Sequence, residues 1–189
     1  MPTLTVINGA PGSGKSTLAN FLARDHKLTL TLDIDSVRGS LAHWTDDPAA
    51  AGLAARELAL SMSTTHLRAG HNVIIPQFLQ REEFLDRLAS AAQDAGAAFF
   101  EVCLTSSPRE AAARFAARAS SDDHNHQAAQ LLQAMPGSAP VEDLYRNMYS
   151  MVLKRPDTIL VESIPGNIQQ TLACLRENLQ NTAGSGPRP

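Results

Sequence analysis

The chain has 189 residues, 43% hydrophobic and 19% charged, enough for one domain with a sizeable core. Its net charge is −3, from 16 basic and 19 acidic residues, so no basic excess advertises nucleic acid or an anionic membrane as partner. No apolar run is long enough to span a bilayer and the first residues lack a leader pattern, so a cytoplasmic protein is expected, with no membrane partner.

The elements read as an alternation. Thr3 to Asn8 is an apolar strand, Gly9 to Gly14 a glycine-rich turn, and Lys15 to Arg24 a helix. Leu28 to Leu32 is a second strand ending at Asp33, and Asp35 or Ser36 is placed to cap a short helix through Leu41. A long helix is expected over Ala49 to Ala69, a third strand over Asn72 to Ile75, and an amphipathic helix over Arg81 to Ala95. Ala98 to Leu104 is a fourth strand, and Pro108 opens a helix reaching about Ala119. A polar break covers Ser120 to Gln127, and helices follow over Gln127–Ala134 and Val141–Leu153. Thr158 to Val161 is the fifth strand and Ile168 to Leu179 the last helix; Asn181 to Pro189 reads as a disordered tail. Short apolar strands alternating with helices predict an α/β three-layer sandwich: a five-stranded parallel sheet with helices on both faces. Residues 1–180 form a single domain in this reading. Cys103 and Cys174 sit among apolar neighbours, and a buried thiol is expected for each.

The strongest motif is Gly9-Ala10-Pro11-Gly12-Ser13-Gly14-Lys15-Ser16, which fits the phosphate-loop pattern and is followed by Thr17. Glycines let the backbone curl until successive N–H groups converge on a phosphate, and the following helix adds its positive end. Lys15 is then expected to reach the β- and γ-phosphates, and the Ser16 hydroxyl to ligate Mg²⁺ beside ATP. Only three of the 16 basic residues are lysines, so one inside a glycine loop is distinctive.

The stretch Asp33-Ile34-Asp35-Ser36-Val37-Arg38 follows the second strand, where a doubly wound sheet lines its ligand crevice. A carboxylate there can take a proton from an attacking hydroxyl, and an arginine can hold a polar acceptor; the plainer alternative for Asp35 is a helix cap. Arg114 and Arg118 share one helix face ahead of the polar break, as lid arginines would, although an ordinary solvated face has the same pattern. Trp44 is placed either to stack on an acceptor ring or to pack over a helix end. His124 and His126 stand beside Asp122 and Asp123, but no cysteine or third histidine joins them in sequence, so a solvated lid loop is favoured over zinc.

Together these stretches resemble the kinase domain of phage-type polynucleotide kinases, and the related zeta-toxin-like and chloramphenicol-phosphotransferase-like kinases. The resemblance covers about the first 165 residues in element order. It implies a nucleoside-kinase-like P-loop fold with a helical lid, near 118–140. It also implies Asp35 as general base, Arg38 as substrate or active-site organiser, and Arg114 and Arg118 as lid arginines. The chain departs from the family after the third strand, where Pro76-Gln77 replaces the usual acidic or amide-hydroxyl pair. Either Asp33 takes over the Mg²⁺ task or Gln77 contacts the acceptor. The function expected is transfer of the γ-phosphoryl group of ATP to a hydroxyl of a small molecule, nucleoside or nucleotide, with a 5′-hydroxyl polynucleotide end as the less favoured acceptor. The rival from another class is a nucleotide-dependent switch acting on a protein partner. Neither an Asn-Lys-x-Asp signature nor an apolar strand ending in Asp-Glu supports it.

Overall fold

The computed structural model describes residues 1–117, 124–135, 137–164 and 166–184. Its centre is the strand β1 (Thr3–Gly9), whose residues are buried from Leu4 onward. A strand with side chains alternating between two covered faces must be apolar on both, and β1 obeys this: Leu4 and Val6 enter one core, Ile7 the other. Around it run α1 (Lys15–Ala23), β2 (Leu30–Thr31), α2 (Ile34–Gly39), α3 (Pro48–Arg68), β3 (Val73–Pro76) and α4 (Glu82–Asp94). β4 (Ala98–Thr105), α5 (Pro108–Ala116), α6 (His124–Gln133), α7 (Val141–Val152), β5 (Ile159–Glu162) and α8 (Ile168–Gly184) complete the chain. The sheet order is β2-β3-β1-β4-β5, all neighbours parallel, so the predicted five-stranded sandwich is the fold.

The first core lies between the sheet and α3, α4 and α7, and the second between the sheet and α1 and α8. α3 approaches closely because its inward positions are small: Ala51, Ala55, Ala59 and Ser63 recur every fourth residue. Across the sheet Leu18, Leu172 and Leu175 fill the layer. β1 has β3 on one side and β4 on the other, so its carboxyl end, and the loop that leaves it, stand at the middle of the sheet edge.

Several boundaries differ from the sequence reading. β2 is only two residues long: Leu28 adopts a left-handed φ of 57° and the Thr29 hydroxyl bonds the His26 carbonyl, so a turn occupies the expected start. The cap of α2 is Asp33, not Asp35 or Ser36, because the chain turns into the helix directly after Leu32. α6 begins at His124, inside the expected polar break, and α8 continues to Gly184. Cys103 is buried as expected, but Cys174 is exposed on α8. Among the described residues no helix is long and apolar enough to cross a membrane.

Candidate functional site

The loop between β1 and α1 is built from the backbone outward. Gly9 has φ 149° and Gly12 φ 86°, values that L side chains rarely adopt. Space forbids a side chain as well: a Cβ on Gly9 would lie 2.8 Å from Ser13 Oγ, and one on Gly12 would lie 2.9 Å from Arg114 Cβ. Gly14 caps α1 in the left-handed conformation without a side chain to occupy the helix's first amides. A helix start left in that condition favours an anion. Lys15 Nζ donates to the carbonyls of Gly9 and Ala10, both at 2.9 Å, so the ammonium lies over the loop. Ser16 and Thr17 are exposed at the head of α1. Ala10 is buried, Pro11 is half-buried, and the Ser13 hydroxyl is buried with no hydrogen-bond partner.

Asn8, fully buried before the loop, was not singled out in the sequence. Its Oδ1 accepts from Gly9 N and Leu79 N, and its Nδ2 donates to the Leu79 carbonyl. It thereby fixes the segment after β3 against the start of the phosphate loop. Gln77 N adds one more ladder bond, to the Ile7 carbonyl at 3.1 Å.

That segment brings Gln77 to Asp35. Gln77 Nε2 donates to Asp35 Oδ2 at 3.4 Å, and Arg38 Nη1 holds Asp35 Oδ1 at 3.1 Å. Arg38 lies over the Trp44 ring, 4.9 Å from its centroid, and its side chain is only 12% exposed against 35% for Asp35. Arg38 Nε and Gln77 Oε1 are buried without hydrogen-bond partners among the described residues. Four residues singled out in the sequence, Asp35, Arg38, Trp44 and Gln77, thus form one side-chain cluster beside the central strand.

Asp33 stands next to this cluster in a different role. Its Oδ1 accepts from Asp35 N and Ser36 N at 2.9 and 3.2 Å, and its Oδ2 from Asn125 Nδ2 at 3.2 Å. Burial, and then the neighbouring Asp35 charge, raise its pKa above the ordinary carboxylate value; the two helix amides and Lys15 oppose that shift. Asn125 also donates to Ser36 Oγ at 2.8 Å, which docks α6 on the start of α2. No spacing rule marks Asn125, and the sequence reading had set its neighbourhood aside as a solvated loop.

Arg114 Nη1 donates to Ser163 Oγ at 2.8 Å and Nη2 to the Ser163 carbonyl at 3.0 Å. Arg118 lies outside the described residues, as do 119–123 and 136 of the segment expected as a lid. Among the described residues no group of three or more His, Cys, Asp and Glu is arranged to hold a metal. Two open concavities, ≈ 880 and ≈ 590 Å³, lie toward the amino ends of the strands, where Thr158 and Thr3 are among their lining residues. Neither contains a residue of the site, whose chemistry lies at the opposite, carboxyl ends.

A parallel sheet with a phosphate loop leaving its central strand defines a P-loop protein with the fold of the small kinases. The chain belongs to the AAA domain family, whose model matches residues 4–137. Proteins of curated function give no match. Among solved structures, a kinase candidate from Chloroflexus aurantiacus J-10-fl superposes with TM-score 0.65 at 19% identity, covering 95% of this chain and 97% of that one. A gluconokinase from Sinorhizobium meliloti 1021 is similar at TM-score 0.56 and 18% identity, over 96% and 97% of the two chains. The tunicamycin resistance protein of Deinococcus radiodurans is similar at TM-score 0.64 and 14% identity, over 95% and 96%. At these identities the likeness speaks for the fold.

Proposed function

We propose that the chain transfers the γ-phosphoryl group of ATP to a hydroxyl of a small molecule, nucleoside or nucleotide. The observation that carries this reading is the position of Asp35. It is a carboxylate fixed at both oxygens, by Arg38 and by Gln77, whose own N–H bonds the Ile7 carbonyl two residues before the phosphate loop. In this reading residues 9 to 17 hold the triphosphate. The acceptor hydroxyl gives its proton to Asp35, its oxygen bonds the γ-phosphorus, the bond to the β,γ-bridging oxygen breaks, and ADP leaves. Positioning and charge neutralisation supply most of the rate, because the transition state is loose.

Arg38, Trp44 and Gln77 bound the acceptor side. The hydroxyl of Ser16 and the carboxylate of Asp33 are hard oxygen donors suited to Mg²⁺, which when bound neutralises phosphate charge. Asp33, whose oxygens already accept three hydrogen bonds, would help hold the ion together with Ser16. Arg114, and Arg118 beyond the described residues, supply positive charge on the donor side.

The test is transfer of label from γ-labelled ATP to a panel of sugars and other metabolites, nucleosides, nucleotides, antibiotics and 5′-hydroxyl oligonucleotides, with products identified by mass. A phosphorylated product formed by wild type and lost in Asp35→Asn is the expected result. Slow ATP hydrolysis with no phosphorylated product anywhere in the panel, and unaffected by Asp35→Asn, would overturn it.

A further inference from the structure

The phosphate loop is held from behind by a residue that no motif marks. Ser163 follows β5 directly; its N–H continues the sheet ladder to the Thr105 carbonyl at 2.9 Å, and it is 7% exposed. Its hydroxyl accepts from Arg114 Nη1 at 2.8 Å and donates to the Ser13 carbonyl at 2.9 Å. With Arg114 supplying a proton to the oxygen, the single hydroxyl proton is directed to Ser13. The guanidinium polarises that hydroxyl, and bonds in series strengthen one another in a low-dielectric interior. The same arginine packs under Gly12, so one side chain fixes both the turn of the loop and its tether.

We infer that Ser163 is a positioning residue for the phosphate donor, acting through the Ser13–Gly14 peptide. That peptide is planar and trans, so its carbonyl and its N–H point in opposite directions. Tying the Ser13 carbonyl to Ser163 turns the Gly14 N–H to the opposite edge of the peptide, away from β5 and toward the mouth of the loop. Ser163 itself touches no substrate; it converts the end of β5 into a stop that keeps one loop amide aimed. Arg114 accordingly contributes to donor binding through the loop, in addition to its charge.

The inference rests on the donor reading above, and the experiment separates the two. Dissociation constants for ATP and for inorganic tripolyphosphate are measured by calorimetry on wild type, Ser163→Ala, and the isosteric pair Ser163→Thr and Ser163→Val, with folding checked by circular dichroism. Ser163→Ala and Ser163→Val should weaken both ligands about tenfold, the effect of losing one buried hydrogen bond, while Ser163→Thr binds near normally. The KM for ATP should rise with them while the acceptor KM stays put. Normal ATP binding in Ser163→Val, or a loss confined to ATP and absent for tripolyphosphate, would overturn the inference. A wild-type chain that binds neither ligand would overturn the donor reading and this inference with it.

Discussion

The two sides of the crevice are constructed differently. On the proposed donor side the cradle is main chain, with Lys15 laid over it, and its shape is set by glycine conformations and by close packing against Leu104 and Arg114. On the proposed acceptor side everything is side chain: Asp35, Arg38, Trp44 and Gln77, with Asn125 reaching in from α6. A backbone cradle can serve any nucleoside triphosphate, and it leaves no room for a side chain at Gly9 or Gly12. A side-chain cluster can be exchanged residue by residue to suit another acceptor while the fold stays as it is. The fold is shared with proteins as different as a gluconokinase and a tunicamycin resistance protein, which fits that division.

Substitutions sharpen the contrast. Lys15→Met should have the largest effect, abolishing transfer while the thermal midpoint stays near wild type, because the ammonium lies on loop carbonyls and not in either core. Near-normal turnover would break the donor side of the comparison. Asp35→Asn should lower turnover by roughly 10²–10⁴-fold with ATP affinity unchanged. Because the cap of α2 is Asp33, this substitution spares the helix, and a silent result would remove Asp35 from the chemistry. Gly12→Ala should cost about 1–3 kcal/mol, seen in urea unfolding and as weaker ATP binding, since it adds strain at a left-handed φ to a collision with Arg114. Equal stability of Gly12→Ala would show that the cradle is softer than its geometry.

The smallest effect is a pH effect. Asp33 has its carboxyl pKa raised in the fold, chiefly by burial and then by Asp35. The folded state therefore holds the proton more tightly than the unfolded chain, and ionisation costs stability as pH rises through the raised value. Asn caps a helix about as well as Asp and carries no charge. Asp33→Asn should thus match or slightly exceed wild type at neutral pH, by roughly 0.5 kcal/mol or less, and the difference should shrink on acidification. A variant clearly less stable than wild type at neutral pH would mean that the Asp33 charge supports the fold.

The same division explains what could be read without coordinates. The loop was legible because backbone curvature demands glycine at fixed spacing and phosphate demands Lys15 directly after it. The five-stranded parallel sheet followed from the alternation of apolar strands and helices, but its strand order did not, because it is set by pairings between distant segments. Asp35, Arg38 and Gln77 were readable as residues of interest because they follow strand ends, and Trp44 as the chain's one tryptophan; their mutual contacts were not, since Gln77 and Asp35 are 42 positions apart. Asn8, Asn125 and Ser163 were missed altogether. Each does its work through a pairing whose partner lies between 71 and 150 residues away, and an isolated Asn or Ser carries no periodicity. The Asp33 cap was misassigned to Asp35 or Ser36 because all three are capping residue types, and only the end of β2 decides among them.

The two cysteines give the protein a chemical clock of its own. Cys103 lies fully buried in β4 opposite Asn8, and burial, followed by the charge of Glu101, pushes its thiol up to about 12. A thiol alkylates as its thiolate, so this one is inert for as long as the sheet is closed. Cys174 is exposed and open to alkylation from the start. Once Cys174 has been blocked, the slow uptake of a second label counts the moments at which the strand behind the phosphate loop comes away from its neighbours, and a bound nucleotide that tightens the loop would slow that count.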